Sequence, residues 1–170
     1  MFKVFKNRLL KDNRGFLHKV YNEEILKNTN FKPVETFFSN YSQPNVIRGI
    51  YMQTGKYCEA KLLTLLYGDI RWLILDLRKK SDTYLKYKFI KLKKNNTYFI
   101  PEGFAHGFIS MKESLVYIMA NKVYNAKKSV NIHWRDKTLK VRWPILKRKK
   151  IIISKMHSDY RSLEDNKKLL

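Results

Sequence analysis

Between Lys61 and Leu77 the chain runs Lys-Leu-Leu-Thr-Leu-Leu-Tyr, turns at Gly68-Asp69, and resumes as Ile-Arg-Trp-Leu-Ile-Leu-Asp-Leu. Two apolar runs of strand length around a glycine turn predict a pair of buried strands joined as a hairpin. The pattern recurs downstream. Tyr84 to Leu92 alternates in part and closes at Lys94-Asn95-Asn96, Tyr98 to Ile100 forms a short strand before Pro101, and Phe108–Met111 with Leu115–Ala120 reads as another hairpin across Lys112-Glu113. Strands separated by turns every 8–12 residues or so predict an all-β antiparallel sandwich or barrel. The one good helix candidate is short: Asn22 to Lys27, with early acids and a polar stop at Asn28 to Asn30. Ser154 to Leu170 is polar and charged and reads as a covering helix or a loose tail. No repeat or low-complexity linker divides the chain, so residues 1–170 are expected to form one domain.

Composition narrows the class. Hydrophobic residues make up 44% of the chain, which suits a globular core. The apolar runs fall far short of the roughly 20 residues that span a bilayer. Lys3, Lys6, Arg8 and Lys11 break up any early apolar stretch, which argues against a secretory signal and for a cytoplasmic location. A single cysteine, Cys58, excludes an internal disulfide and a cysteine-based zinc site. The net charge of +22 attracts polyanions. Much of the excess sits in short clusters near turns, at Lys91-Lys93-Lys94, Lys127-Lys128 and Lys147 to Lys150. Such runs read as solvated faces or as attraction for small anionic ligands, not as a dedicated nucleic-acid surface.

Pro101-Glu-Gly-Phe-Ala-His-Gly-Phe108 is a turn followed by a histidine set among small residues and aromatics. Such a stretch can present one imidazole to an enclosed pocket. With Phe99-Ile100 before it, it resembles the W-I-P-E-G-F-A-H-G-F signature of the dTDP-4-dehydrorhamnose 3,5-epimerase family. Other segments follow in family order. Asp12-Asn-Arg-Gly-Phe16 resembles D-x-R-G-F, and Asn40-Tyr-Ser42 stands at N-H-S. Val46-Ile-Arg-Gly-Ile-Tyr-Met-Gln53 resembles V-L-R-G-L-H-Y-Q, and Asp76-Leu-Arg78 through Ser81 resembles D-x-R-x-x-S. Ile132 to Asp136 with Trp143-Pro144 resembles I-x-W-N-D…W-P. The resemblance implies a cupin-type double-stranded β-helix jelly roll with short N-terminal and C-terminal helical segments. It further implies a homodimer, a ligand inside the barrel, a dTDP-linked 4-keto sugar as partner, and no metal or organic cofactor.

Epimerisation beside a ketone needs a base, a cation or donor for the enolate oxygen, and an acid on the opposite face. By the resemblance, Arg14, Asn40 and Arg48 hold the ligand, Lys61 stands on the enolate side, and His106 is the pocket histidine. The proton-moving positions depart from the pattern. Tyr51 stands where the family carries its base histidine, and an unperturbed phenol titrates at about 10. Trp72 replaces a family aspartate, and His157 falls where the base-orienting aspartate belongs. Tyr51 and His157 then either form a hydrogen-bonded pair with the polarity of the family's pair reversed, or His157 is a tail histidine in solvent and Tyr51 simply fills the pocket. For the acid, Leu115-Val-Tyr117 resembles the tyrosine strand, whereas counting back from Trp134 without gaps gives Ile118. A one-residue slip reverses the face on which a side chain lies. The candidate catalytic set is Tyr51, Lys61, His106, Tyr117 and His157. It points to proton transfer on a nucleoside-diphosphate keto sugar, or to a binding protein that has lost the base.

Overall fold

The computed structural model describes residues 1–168, apart from the side chains of residues 40 and 41. Twelve strands and three short α-helices follow the order β1 (Lys3–Lys6), β2 (Leu9–Asp12), β3 (Gly15–His18), α1 (Glu23–Thr29), β4 (Glu35–Ser42), β5 (Ile47–Gln53), β6 (Lys61–Tyr67), β7 (Ile70–Asp76), β8 (Tyr87–Lys91), β9 (Asn96–Ile100), β10 (Phe104–Ser110), β11 (Ser114–Ala120), β12 (Ser129–Asn131), α2 (Lys155–Ser158) and α3 (Leu163–Asn166). Two five-stranded sheets, β1-β9-β6-β11-β4 and β12-β5-β10-β7-β8, form the body, and β2-β3 stands apart as a small hairpin. All named strand pairs are antiparallel. This is the double-sheet arrangement of a jelly roll.

The two expected hairpins are corrected by this topology. β6 and β7 belong to different sheets, as do β10 and β11. Each tight turn is a corner at which the chain crosses to the facing sheet. At the first corner Gly68 adopts φ 92°, and a Cβ there would lie 2.2 Å from the Glu113 carbonyl oxygen. The strand lengths were legible because they follow from side-chain type, but the pairing partner depends on which sheet the corner delivers the strand to.

Alternation along the strands sorts side chains into three layers. Leu63, Leu65, Ile70, Trp72, Ile74, Tyr98, Ile100, Phe108, Val116 and Ile118 fill the space between the sheets. Leu62, Phe99 and Met119 point outward from the first sheet and are covered by Ile25 and Phe31 of the α1 region. Ile47, Ile50, Leu73, Leu75, Ala105 and Ile109 point outward from the second sheet and meet Trp134, Leu139, Trp143 and Leu163. Each fully buried aliphatic or aromatic side chain contributes about 1.5–3 kcal/mol, so these layers carry most of the stability.

Short-range chemistry sets the small elements. Asn22 caps α1 by accepting from the Ile25 N–H at 3.0 Å, and Asn30 closes it in the left-handed region at φ 51°. The C-terminal segment is a cover: Asp136 accepts from Leu163 N–H at 2.8 Å and holds the start of α3 against the second sheet. No helix is long and apolar enough to cross a membrane among the described residues.

Candidate active site

A cavity of about 510 Å³ lies between the two sheets. β5 gives it Arg48 and Tyr51, β10 gives His106, and β7 gives Trp72. From the other sheet come Lys61 at the start of β6, Glu59 just before it, and Ile118 of β11. His157 and Tyr160 of the C-terminal segment close the rim.

Strict alternation would put Arg48 and Tyr51 on opposite faces of β5. A bulge prevents this. Tyr51 pairs with His106 and Gly49 with Gly107, which leaves Ile50 as an extra residue on β5. Ile47, Ile50 and Met52 turn to the outer layer while Arg48 and Tyr51 both face the cavity. Gly49 makes the bulge possible: at φ 98° a Cβ would sit 2.6 Å from the His106 carbonyl oxygen and 2.7 Å from Gly107 Cα.

His106 is buried on the face that carries Phe108, with its ring stacked on Trp72 at 5.8 Å and edge-on to Tyr51 at 5.4 Å. Burial, and then the nearby Lys61 ammonium, hold its pKa well below the ordinary imidazole value, so it is neutral at pH 7. Tyr51 moves the other way. Burial and the Glu59 carboxylate push its phenol above the ordinary range, so it stays protonated. Lys61 Nζ sits 2.9 Å from Glu59 Oε1, 5.3 Å from the Tyr51 ring centre and 5.2 Å from that of Phe37. Both ends of this ion pair are buried, with side chains 7% and 4% exposed. Desolvating two such charges costs several kcal/mol per ion. A buried charged pair at a cavity marks a place for chemistry more than for stability.

The predicted residues separate into two groups. Arg48, Tyr51, Lys61, His106 and His157 all line the cavity. Arg14 does not: it sits on the β2–β3 turn with an 85% exposed side chain, paired with Asp12 at 2.5 Å. Tyr117 is also corrected. It pairs across the sheet with Thr64 and Phe38, lies against the outward layer, and stacks on Phe38 at 5.0 Å, while Ile118 takes the cavity-facing position. Parity fixes a strand residue's face, so Ile118 and Tyr117 cannot both point into the cavity. The Asn40 side chain lies outside those described.

A Tyr51–His157 hydrogen bond is not among the bonds of the described residues. His157 Nδ1 bonds instead with Ser154 Oγ, the cap of its own helix. Burial and Arg48 lower its pKa. Sequence reasoning passed over Glu59. Its signal was parity: a carboxylate two residues before Lys61, at the entry of the same apolar strand.

No group of three or more His, Cys, Asp or Glu that could hold a metal ion occurs among the described residues. The indole Nε1 of Trp72 is buried without a hydrogen-bond partner among the described residues. The Glu59 oxygen that lies outside hydrogen-bond geometry has its charge met by Lys61.

A family model described as dTDP-4-dehydrorhamnose 3,5-epimerase matches residues 2–165. The chain is 30% identical over 168 residues to the dTDP-4-dehydrorhamnose 3,5-epimerase of Methanothermobacter thermautotrophicus, covering 96% of this chain and 90% of that one. It is 29% identical over 147 residues to that of Shigella flexneri, covering 84% and 81%. The crystal structure of dTDP-4-dehydrorhamnose 3,5-epimerase from Bacillus anthracis, with TDP and PPi bound, superposes with a TM-score of 0.84 at 28% identity, covering 95% and 94%.

Proposed function

The chain belongs to the dTDP-4-dehydrorhamnose 3,5-epimerase family, and from that premise we propose that it moves a proton beside the keto group of a dTDP-linked 4-keto-6-deoxy sugar. The observation that carries this reading is the convergence of Arg48, Lys61, His106 and Tyr51 on one cavity between the sheets. A C–H next to a ketone becomes acidic when a cation meets the developing oxyanion. Lys61 supplies that cation from a buried position. His106 and Tyr51 stand on the facing sheet as the groups that handle the proton. Arg48, the exposed guanidinium at the rim, takes the diphosphate, which suits an arginine fork. The free indole N–H of Trp72 offers a donor to a sugar oxygen. TDP bound to the B. anthracis relative supports the ligand class.

The product would serve deoxysugar supply for surface polysaccharide or other glycoconjugates, in the cytoplasm. The protein would act as a homodimer without an added cofactor. Exposed Phe16, Leu17 and Phe38 support an apolar contact with a second copy.

A specific observation favours a second reading. Ile118 faces the cavity where the resemblance calls for a tyrosine acid, and the Tyr51 phenol resists ionisation. A protein so equipped would bind the sugar nucleotide without turning it over. Incubation with dTDP-4-dehydrorhamnose in deuterated water separates the two. Deuterium at C3 or C5 is expected from proton transfer. Tight TDP binding with no label after prolonged incubation leaves the binding role alone.

A further inference from the structure

Glu59, Lys61 and Tyr51 form a cluster whose charges balance in a way that the proposed reaction can use. The Lys61 ammonium touches Glu59 Oε1 at 2.9 Å and lies 5.3 Å from the Tyr51 ring centre. Tyr51, Glu59 and Lys61 line one cavity, and the Glu59 carboxylate is near enough to the Tyr51 phenol to help push its pKa up. The residues on either side of Glu59 are held in place: the Gly103 N–H donates to Cys58 Sγ at 3.2 Å, and the Ala60 N–H donates to Asn121 Oδ1 at 2.7 Å. One cation, one carboxylate and one phenol thus meet in a wall from which water is largely excluded.

We infer that Glu59 is the terminal proton acceptor of this site and that it works through Tyr51. The proposal rests on the epimerase reading above. The C–H bond beside the ketone breaks, and its electron pair moves onto the carbonyl oxygen as an enolate. The released proton forms a new O–H on Tyr51 as the original phenolic proton passes to the Glu59 carboxylate. Before the step the cluster holds one carboxylate and one ammonium. After it, Glu59 is a neutral acid and the ammonium faces the enolate. The net charge of cluster plus sugar does not change, and Lys61 exchanges one counter-anion for another.

Two physical arguments favour this route over the neighbouring histidine. Proton uptake by His106 would create an imidazolium beside the Lys61 ammonium in a buried site, and burial, with that repulsion second, already keeps His106 neutral. Proton uptake by Glu59 removes a buried charge. Tyr51 also never has to become a free phenolate, which its surroundings oppose. The relay turns a poor base into a carrier.

The test is deuterium wash-in from solvent into dTDP-4-dehydrorhamnose, measured beside TDP affinity for the full chain and two variants. Glu59→Gln keeps the shape but cannot accept a proton, and Tyr51→Phe removes the carrier. Each is expected to slow wash-in by about 10²-fold or more, the usual share of a general acid–base group, with TDP affinity within about threefold of the parent. The double variant should be no slower than either single one, since groups acting as a unit are not additive. In Glu59→Gln the residual rate should rise roughly tenfold per pH unit toward pH 9, because only phenolate is left as base; a merely structural ion pair would not produce that slope. Either single variant keeping wash-in within about threefold of an active parent overturns the relay and leaves the epimerase reading standing. A parent that binds TDP and shows no wash-in overturns both.

Discussion

Asp76 and Glu59 are both buried carboxylates with a cation two residues downstream, Arg78 and Lys61, and their surroundings treat them differently. Asp76 is saturated. It accepts from Arg78 N at 3.0 Å, Nε at 2.9 Å and Nη2 at 2.7 Å, from Ser81 Oγ at 2.6 Å and from Thr83 Oγ1 at 2.5 Å. These donors hold its carboxyl well below the usual range, the Arg78 side chain foremost. The Arg78 guanidinium then covers the Phe104 ring at 4.3 Å, so this cluster braces the turn that leads into β10 and His106. Glu59 has the Lys61 ammonium at 2.9 Å and the Tyr51 phenol nearby, and it faces a cavity. A saturated carboxylate has no lone pair left for a reaction, whereas an under-satisfied one beside a movable cation does. The contrast separates two kinds of motif: the D-x-R-x-x-S segment braces the fold, and the Glu-Ala-Lys stretch is where the proposed chemistry lies.

Substitutions can break this contrast in graded steps. The largest effect is expected at Lys61. Lys61→Met should reduce solvent exchange into the sugar by about 10²–10³-fold, and should also destabilise the fold because it leaves Glu59 charged and unpaired. Adding Glu59→Gln should restore much of the stability, read as the urea midpoint, and none of the exchange. Next comes Arg48→Ala, which removes a charge-assisted fork and should weaken TDP about 10–100-fold by titration calorimetry. Asp76→Ala should act in the opposite sense, costing about 2–3 kcal/mol of unfolding free energy with TDP affinity changed less than about threefold.

A smaller effect is expected from pH. The folded-state pKa of His106 lies below its unfolded value of about 6.5. The unfolded chain therefore binds the extra proton first, and stability is full above about pH 6.5 and declines as pH falls below it. His18 and His157 are lowered too and add in the same direction. Asp76 is lowered as well, so its contribution persists down to its unfolded value, near pH 4, and is lost only below that. Urea midpoints from pH 7.5 to 3 should show two separate declines, and His106→Asn should flatten the upper one. The smallest effect is expected from Tyr117→Phe. Its side chain faces the α1 layer, so exchange should stay within about twofold of the parent.

Much of this molecule was legible in its sequence. Local side-chain chemistry decides what a segment prefers whatever surrounds it. That is why the strand runs at Lys61–Tyr67 and Ile70–Asp76 and the asparagine-bounded helix at Glu23–Thr29 emerged close to their observed limits. The ordered motifs from Asp12 to Pro144 likewise pointed to the family, because a motif records which side chains a site requires. The tertiary structure decided what depends on partners distant in the chain. Corners send β6 and β7 to different sheets, and a single extra residue at Ile50 brings Arg48 and Tyr51 onto one face. Parity across the β11 pairings turns Tyr117 out and Ile118 in. Glu59 gained its meaning only when β5 and β6, from opposite sheets, closed over the same cavity, since a carboxylate's reactivity is set by the charges and the missing water around it.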